Sequence, residues 1–388
     1  MAEQFAHNFA ARGEVGASLC VQVEGVTRVD LWAGVANAKK QQPWTRDTMT
    51  VVYSCTKAAT AICAHILVSE GKLDLDAPVT DYWPEFGAKG KETTTVRMFL
   101  DHTAGLPALR APLRDDGCQD WDYMTAQLAA AEPFWEPGER VAYHMINFGW
   151  LVGELVRRSS GQSLGQFFRQ RVARPLGLDF FIGLPSSELG RFAPVLAYRP
   201  TPDDPRTRFN EELMQAATIP HLSIFNNGGF AANDPGCLAA EIGGAGGVAN
   251  ARALAKMFAP LCLDGSLGDV RLVDRDSHKR MAEVSSATQL DGTLRVPTRF
   301  ALGFMKSMDN RRRHLPGKDS VVLGSEAFGH VGAGGSLGFA DPECKVSFGY
   351  AMTQMGSSIL LNDRGQALVD AVYRSLGYSS CDSGVWRM

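Results

Sequence analysis

The 388-residue sequence lacks long blocks of one charge and long apolar runs. Its net charge is −3 and its longest basic run is the three arginines at 311–313, so we predict no nucleic-acid partner. The apolar stretch at 58–68 is interrupted by His65 and is shorter than the roughly 20 residues that a membrane span needs. The first residues, MAEQFAHNFAARGEVG, contain no basic patch followed by an apolar segment, so we expect a soluble, cytoplasmic protein without a membrane partner.

Paired cysteines and familiar metal motifs are also missing. The eight cysteines are Cys20, Cys55, Cys63, Cys118, Cys237, Cys262, Cys344 and Cys381. They form no CxxC pair and no short repeating spacing, which argues against a zinc site and against a disulfide framework. The sequence also contains no HExxH and no internal repeat. We therefore expect reduced thiols and no metal or organic cofactor.

The sequence does contain strand patterns near its N-terminus. With 45% hydrophobic and 21% charged residues, the composition is that of a globular protein with a substantial core. Alternating apolar residues at 19–23 and 29–31 predict a hairpin. A short extended run at 50–53 then leads into a helix predicted over 54–70, which ends at Gly71.

The middle and the end of the chain have different patterns. Between about 76 and 244 helical segments dominate, and the clearest has its apolar residues at helical spacing over 148–156. A glycine-rich turn at 243–247 follows and opens another helix. Two extended runs then flank Asp341, and a final amphipathic helix covers 368–376.

These elements predict an α+β fold, in which one antiparallel sheet is flanked by helices and interrupted by a mainly helical second lobe. The predicted sheet domain comprises residues 1–75 plus 245–388, and the inserted helical domain comprises residues 76–244. Clefts form where such lobes meet. We therefore expect the chemistry at that boundary.

A serine and a lysine stand three positions apart at the start of the predicted helix, within VVYSCTKAAT at 51–60. On a helix the Cβ atoms of Ser54 and Lys57 lie about 5 to 6 Å apart. The backbone N–H of Ser54 would be free in the first turn and could stabilise an oxyanion. Lys57 could take the serine's proton if burial lowers its pKa. In the alternative interpretation, Ser54 only caps the helix and Lys57 extends to solvent.

Six further blocks follow YSCTK in a fixed order. They are LDLDAPVTDYWPEF, MFLDHTAGLP, FWEPGERVAYHMINFGWLVGELV, RPLGL, GGAGGVANARALAKMF and FGHVGAGGSLGFADPE. Together, over roughly residues 15–375, these blocks resemble the serine β-lactamase and DD-peptidase superfamily. Within it, the class C-like branch that includes the family VIII carboxylesterases is the most similar. The resemblance implies a β-lactamase/transpeptidase-like fold.

The resemblance also implies the roles of three residues. Ser54 is expected to be the acylated nucleophile and Lys57 its partner. Tyr143 is expected to be a general base or proton relay in acylation and deacylation. A tyrosine in this role would work as a phenolate, which requires a neighbouring cation to lower its pKa, and Lys57 is the candidate for that cation.

The family's Lys-Thr-Gly motif corresponds here to His330-Val331-Gly332, a variant similar to DD-peptidases and several esterases. His330 would help to place the leaving group or hold the charge state of the tyrosine. Gly332 would let a strand edge approach the ester closely. The N–H of Ala333 is expected to be the second oxyanion donor, opposite that of Ser54.

One position departs from the family pattern. The family's Tyr-x-Asn is Tyr143-His144-Met145 here, so the asparagine that contacts a β-lactam side-chain amide is replaced by a thioether. Asn147, four residues after Tyr143, is a candidate substitute. Without that contact an amide-bearing antibiotic loses a hydrogen bond worth about 0.5 to 1.5 kcal/mol, whereas a simple ester loses nothing.

This departure favours a serine carboxylesterase that hydrolyses small, short- to medium-acyl esters through an acyl-enzyme on Ser54. A β-lactamase or D-amino acid peptidase or amidase that uses the same residues stays open as an alternative. A non-catalytic binding or scaffold protein of this fold also stays open.

Three other patterns are interpreted as structural. GGSLG at 334–338 matches the nucleophile elbow of α/β-hydrolases, but a predicted strand follows Ser336 where that elbow needs a helix. GAGGVA at 244–249 is interpreted as a turn and a helix start. Asp101 and His102 are interpreted as part of a buried turn and not as a catalytic dyad.

Overall fold

A nine-stranded antiparallel sheet forms the centre of the computed structural model, which describes residues 1–202, 204–313, 319–379 and 384–388. The strands are β1 (Gly16–Val23), β2 (Val26–Asn37), β3 (Gln42–Pro43), β4 (Thr50–Val51), β5 (Phe180–Phe181), β6 (Val248–Ala249), β7 (Ser266–Leu267), β8 (Val270–Arg271), β9 (Ser286–Thr288), β10 (Thr298–Phe300), β11 (Met305–Lys306), β12 (Phe328–Val331), β13 (Leu337–Asp341) and β14 (Val346–Met352). The order in the large sheet is β3-β2-β1-β14-β13-β12-β11-β10-β9. A three-stranded sheet has the order β4-β6-β5, and β7 pairs with β8.

Helices cover both faces of the large sheet. They are α1 (Ala2–Ala11), α2 (Cys55–Ser69), α3 (Val96–Leu100), α4 (Trp121–Ala130), α5 (Phe148–Ser160), α6 (Leu164–Phe168), α7 (Arg174–Leu176), α8 (Arg208–Leu213), α9 (Ile219–Phe225), α10 (Pro235–Ala239), α11 (Ala251–Phe258), α12 (Arg275–Ala282) and α13 (Asp363–Ser375). Short 3-10 helices lie at Val79–Asp81, Pro84–Gly87, Gly117–Gln119, Ser186–Arg191 and Pro260–Cys262, and a π-helical turn at Arg169–Ala173. Within the described ranges, no helix is long and apolar enough to cross a membrane.

The central strands are buried on both faces because successive side chains point in opposite directions. Leu19 of β1 packs with Phe348 of β14 and with Leu368 of α13 in one core. Cys20, the next residue of β1, packs on the other face against Ala251 of α11. The predicted N-terminal hairpin, the two C-terminal strands and the final helix are therefore confirmed.

Helix α11 lies directly on the backbone of β14. A Cβ atom added to Gly349 would lie 2.1 Å from the carbonyl oxygen of Ala251. Only glycine therefore permits this contact, on the face of β14 opposite its alternating large apolar residues. Gly338 of the neighbouring strand plays the same part, because its Cβ would lie 2.6 Å from the ring of Phe258.

Helix α2 runs through the middle of the second core. Each of its residues from Cys55 to Val68 is buried, and it packs against α5, α6 and β12. The helix predicted over 54–70 is confirmed, with Ser54 at the N-cap position and Glu70 at the C-cap. Residues 76–244 contribute α3 to α10 and β5, which pairs with β6. The division into two domains stays a prediction.

Candidate active site

Ser54 stands at a strained turn between a short strand and the buried helix α2. Strand β4 ends at Val51, and Tyr53 has a φ of +45°, a left-handed conformation that is uncommon for a tyrosine. Ser54 follows at the N-cap position and is only partly buried. Its hydroxyl accepts no capping hydrogen bond from the helix. The hydroxyl therefore occupies the place of a cap without serving as one.

Lys57 lies one turn further along α2 with its side chain fully buried. Its Nζ is 3.0 Å from Ser54 Oγ. Two backbone carbonyls complete its surroundings, because Nζ lies 2.5 Å from Met145 O and 2.6 Å from Gly244 O. Lys57 thus connects the start of α2 to two other segments of the chain, at Met145 and at Gly244. The alternative in which it extends to solvent is wrong.

The protonation state of Lys57 follows from its burial. Removal from water lowers the pKa of the amine well below its ordinary value. A neutral amine has two N–H groups and one lone pair. When the amine is neutral, its two N–H groups match the carbonyls of Met145 and Gly244 and its lone pair faces the hydroxyl of Ser54, which then donates the third hydrogen bond. This is the arrangement that a general base needs before it removes the serine's proton.

Tyr143 covers the lysine from the other side. Nζ of Lys57 lies 4.8 Å from the centre of the Tyr143 ring, which stacks on Phe300 at a centroid distance of 5.9 Å. The hydroxyl is buried and makes no regular hydrogen bond to any described residue. Burial raises its pKa, an effect that the neighbouring Ser54 hydroxyl only partly opposes. The expected phenolate is therefore wrong for the resting site, because burial raises the pKa of the phenol and also lowers the pKa of the lysine that was to stabilise it.

Asp291 fixes the backbone of Tyr143, and nothing in the local sequence indicated this role. Both carboxylate oxygens of Asp291 accept from Tyr143 N, at 3.1 and 3.2 Å. The same fully buried carboxylate accepts from the backbone N–H groups of Thr293 and Leu294 and from the hydroxyl of Thr298. A buried carboxylate with this many donors stabilises a single loop conformation. Asp291 is therefore a positioning residue for the tyrosine.

His330 lies on β12 next to the tyrosine, with ring centroids 5.9 Å apart. Its Nδ1 lies 2.8 Å from Val331 O, while its Nε2 is buried without a described partner. Burial lowers the pKa of His330 to about 3. At neutral pH the ring is therefore uncharged. It can offer a neutral hydrogen-bonding group to a leaving group, but not a positive charge to Tyr143.

The predicted oxyanion donors have free backbone amides. Among the described residues, neither Ser54 N nor Ala333 N donates a hydrogen bond. A Cβ atom on Gly332 would lie 2.3 Å from Val52 O. Because glycine has no Cβ, the turn that contains Ala333 can pack against the backbone that precedes Ser54. The close approach at Gly332 is thus between two backbones of the protein. Free amides beside a nucleophile are the donors that a tetrahedral oxyanion needs.

Asn147 occupies the N-cap position of α5 without a capping hydrogen bond, and its Nδ2 donates to Leu106 O at 3.2 Å. That N–H is engaged within the protein, so a contact of Asn147 with substrate stays a prediction. Met145, which replaces the family's asparagine, is partly exposed, and its carbonyl accepts from Lys57.

The three patterns interpreted as structural have the predicted form. Ser336 is fully buried and strand β13 follows it directly. Asp101 accepts from Thr103 and Ser285, at 2.6 and 2.8 Å, within a turn. The glycine loop at 243–247 is a turn before β6 and α11, and its carbonyl at Gly244 holds Lys57, which the sequence did not indicate.

Comparison with known proteins places this geometry in a family. The family model described as Beta-lactamase matches residues 2–371. The chain belongs to the beta-lactamase family. The predicted superfamily is thereby confirmed, and a member of this family with a buried serine–lysine pair is a serine hydrolase.

Individual beta-lactamase relatives differ in the activities that their names carry. The esterase/beta-lactamase LipL of Mycobacterium tuberculosis is 35% identical over 379 residues, which cover 92% of this chain and 82% of that protein. A crystal structure of a family VIII carboxylesterase has a TM-score of 0.83 at 37% identity and covers 96% of each chain. A penicillin-binding protein homologue from Caulobacter crescentus has a TM-score of 0.84 at 34% identity, again over 96% of each chain. The predicted β-lactamase/transpeptidase-like fold is therefore confirmed.

Replacement of Asp291 tests its role in this site. We expect Asp291→Asn to lower kcat for an ester substrate by about 10²-fold, because a displacement of a catalytic group by about 1 Å costs that much. KM should change little, since the Asp291 side chain is fully buried. Steady-state kinetics together with a thermal melt measure both effects.

The matched control is Asp341→Asn, which alters another fully buried carboxylate, on β13, that accepts from the hydroxyl of Tyr373 on α13. It should lower the melting temperature and leave kcat near the wild-type value. Equal losses of kcat in the two variants would show that Asp291 supports the fold in general and not Tyr143 in particular.

Proposed function

We propose that the protein is a carboxylesterase that hydrolyses small esters through an acyl-enzyme on Ser54. The observation that carries this proposal is the 3.0 Å contact between Ser54 Oγ and the buried amine of Lys57. A serine hydroxyl becomes an effective nucleophile when an adjacent base takes its proton. The low pKa of Lys57 supplies that base.

Acylation begins when Ser54 Oγ attacks the carbonyl carbon of the ester. The hydroxyl proton passes to Lys57 Nζ, which becomes an ammonium with three acceptors already around it. The amides of Ser54 and Ala333 hold the negative oxygen of the tetrahedral intermediate. As the bond to the alcohol oxygen breaks, the proton on Lys57 returns to that oxygen, directly or through the hydroxyl of Tyr143.

Deacylation repeats these steps with water in place of Ser54. A water molecule attacks the acyl carbon. Its proton passes to the amine of Lys57, either directly or through the hydroxyl of Tyr143. The collapse of the second intermediate breaks its bond to Ser54 Oγ, which recovers the proton. Tyr143 works here as a phenol that passes a proton on, since burial raises its pKa. No metal or organic cofactor enters the sequence of steps.

Ester substrates are favoured over lactams and peptides by Met145. The thioether of Met145 has no donor and is only a weak acceptor, so it does not replace the hydrogen bonds that an asparagine would offer to a substrate amide. Hydrolysis of lactams or D-amino acid amides by the same residues is the second candidate. It is supported by the M. tuberculosis relative, whose name carries both esterase and beta-lactamase.

The proposal is tested with a fluorophosphonate probe and a series of p-nitrophenyl esters of increasing acyl length. We expect stoichiometric labelling at Ser54 and turnover of short- to medium-chain esters, both lost in Ser54→Ala. The matched control is Ser336→Ala, which removes the hydroxyl of a different serine, one that is buried without a described partner. That variant should keep both labelling and turnover. Labelling at another serine, or full activity in Ser54→Ala, would overturn the assignment.

Replacement of Met145 by asparagine tests the preference for esters. We expect Met145→Asn to raise kcat/KM for an amide-bearing cephalosporin by about 2- to 12-fold, because one added hydrogen bond contributes about 0.5 to 1.5 kcal/mol. The value for p-nitrophenyl butyrate should stay the same.

Met214→Asn serves as the control for this substitution, since Met214 is 78% exposed at the end of α8. It should change neither substrate's kcat/KM. An equal gain for both substrates in Met145→Asn would show that the residue controls access to the site and not recognition of the amide.

A further inference from the structure

Two buried cysteines bring their sulfur atoms within 3.6 Å of each other, although 119 residues separate them in the sequence. Cys118 lies in the 3-10 helix Gly117–Gln119, and Cys237 lies in α10. Both side chains are almost fully buried. A disulfide has sulfurs about 2.05 Å apart, so closure requires an approach of about 1.6 Å.

The backbone around this pair is already held in place. Cys118 N donates to Gly228 O at 2.9 Å, and a Cβ on Gly228 would lie 2.6 Å from that nitrogen. Gly228 and Gly229 both have positive φ, at +73° and +79°. This conformation lets their loop pack closely against the backbone that precedes Cys118. On the other side, Cys237 N is held by Asp234 Oδ1 at 2.9 Å. Rotation about the side-chain bonds is therefore the main motion needed for closure.

We propose that Cys118 and Cys237 form a reversible disulfide when the protein meets a peroxide, and that this bond holds the loop whose Phe230 packs against Tyr53, the residue before Ser54. The remaining cysteines of the described chain do not offer a second pair: none of Cys20, Cys55, Cys63, Cys262 and Cys344 has a thiol partner there. Cys381 lies outside the described residues. The proposal does not depend on the substrate of Ser54.

The reaction with hydrogen peroxide balances in two steps. The sulfur of Cys237, towards which Ala231 N and Gln119 Nε2 point at 3.5 and 3.8 Å, attacks one peroxide oxygen. The O–O bond breaks, a sulfenic acid forms and one water leaves. The sulfur of Cys118 then attacks the sulfenic sulfur, the S–O bond breaks, and the hydroxide takes the Cys118 proton to form the second water. Two thiols are oxidised and one peroxide is reduced to two waters.

The pair lies beside a segment that reaches the nucleophile. Phe230 directly follows Gly229, and its ring packs edge-on against Tyr53 at a centroid distance of 6.4 Å. Tyr53 is the strained residue immediately before Ser54. A disulfide between Cys118 and Cys237 would hold both ends of the loop that carries Phe230. Because it closes a long loop, it should also restrict the unfolded chain and stabilise the folded state.

The test treats the full-length protein with a few equivalents of hydrogen peroxide, blocks remaining thiols with iodoacetamide and maps peptides without reduction. We expect one cross-linked peptide pair that contains Cys118 and Cys237, with a loss of two hydrogens and reversal by dithiothreitol. The melting temperature of the oxidised protein should rise by about 3 to 8 °C. Cys118→Ser and Cys237→Ser should each abolish the cross-link and the shift.

The matched control is Cys63→Ala, which removes another fully buried thiol and should leave the cross-link and the shift unchanged. Alkylation of both Cys118 and Cys237 after peroxide treatment and denaturation would overturn the proposal, as would a cross-link to any other cysteine. Peptide mapping of the wild-type protein gives this answer even if a serine variant fails to fold. Because the readouts are mass and melting temperature, a failure here is distinct from a failure of the esterase proposal.

Discussion

The site depends on the burial of one amine next to one hydroxyl. Lys57 reaches Ser54 only because both lie on the first turn of a helix whose every residue to Val68 is buried. Burial removes the amine from water and lowers its pKa, while the carbonyls of Met145 and Gly244 occupy its two N–H groups. The lone pair that remains has the serine as its neighbour. The proposed chemistry therefore depends on the packing of α2 and on the two loops whose carbonyls, at Met145 and Gly244, contact Lys57.

The same desolvation determines the state of the other titratable groups. Tyr143 keeps its proton and His330 stays uncharged, because neither has enough water or opposite charge nearby to support an ion. The resting site thus contains neutral groups, and charge is created only when Ser54 attacks. In the proposed mechanism the lysine then becomes an ammonium whose acceptors are in place, and the free amides of Ser54 and Ala333 are the donors to the new oxyanion. Little reorganisation is needed, which is the usual source of electrostatic catalysis.

The fold and part of the site could be predicted from the sequence because their signals are local. The hairpin follows from alternating apolar residues, α2 follows from a run of helix-forming residues that ends at Gly71, and the contact between Ser54 and Lys57 follows from a three-residue spacing on one helix. The places of Tyr143, His330 and Ala333 required the resemblance to a family, since no local pattern brings these residues together. Asp291 and Gly244 were missed because each lies in a loop that is distant in sequence from the residue it contacts, Tyr143 and Lys57 respectively. The phenolate expected for Tyr143 was wrong because its charge depends on burial, which the sequence does not give.

The central claim is that Lys57 is an uncharged amine in the resting enzyme. It is tested most directly by NMR titration of the lysine side chains in ¹⁵N- and ¹³C-labelled protein, with Lys57 assigned from the signal that is missing in Lys57→Met. The account predicts a neutral amine at pH 7, with a titration midpoint well below that of the exposed lysines. A charged Lys57 that titrates near 10.5, as free lysine does, would contradict it.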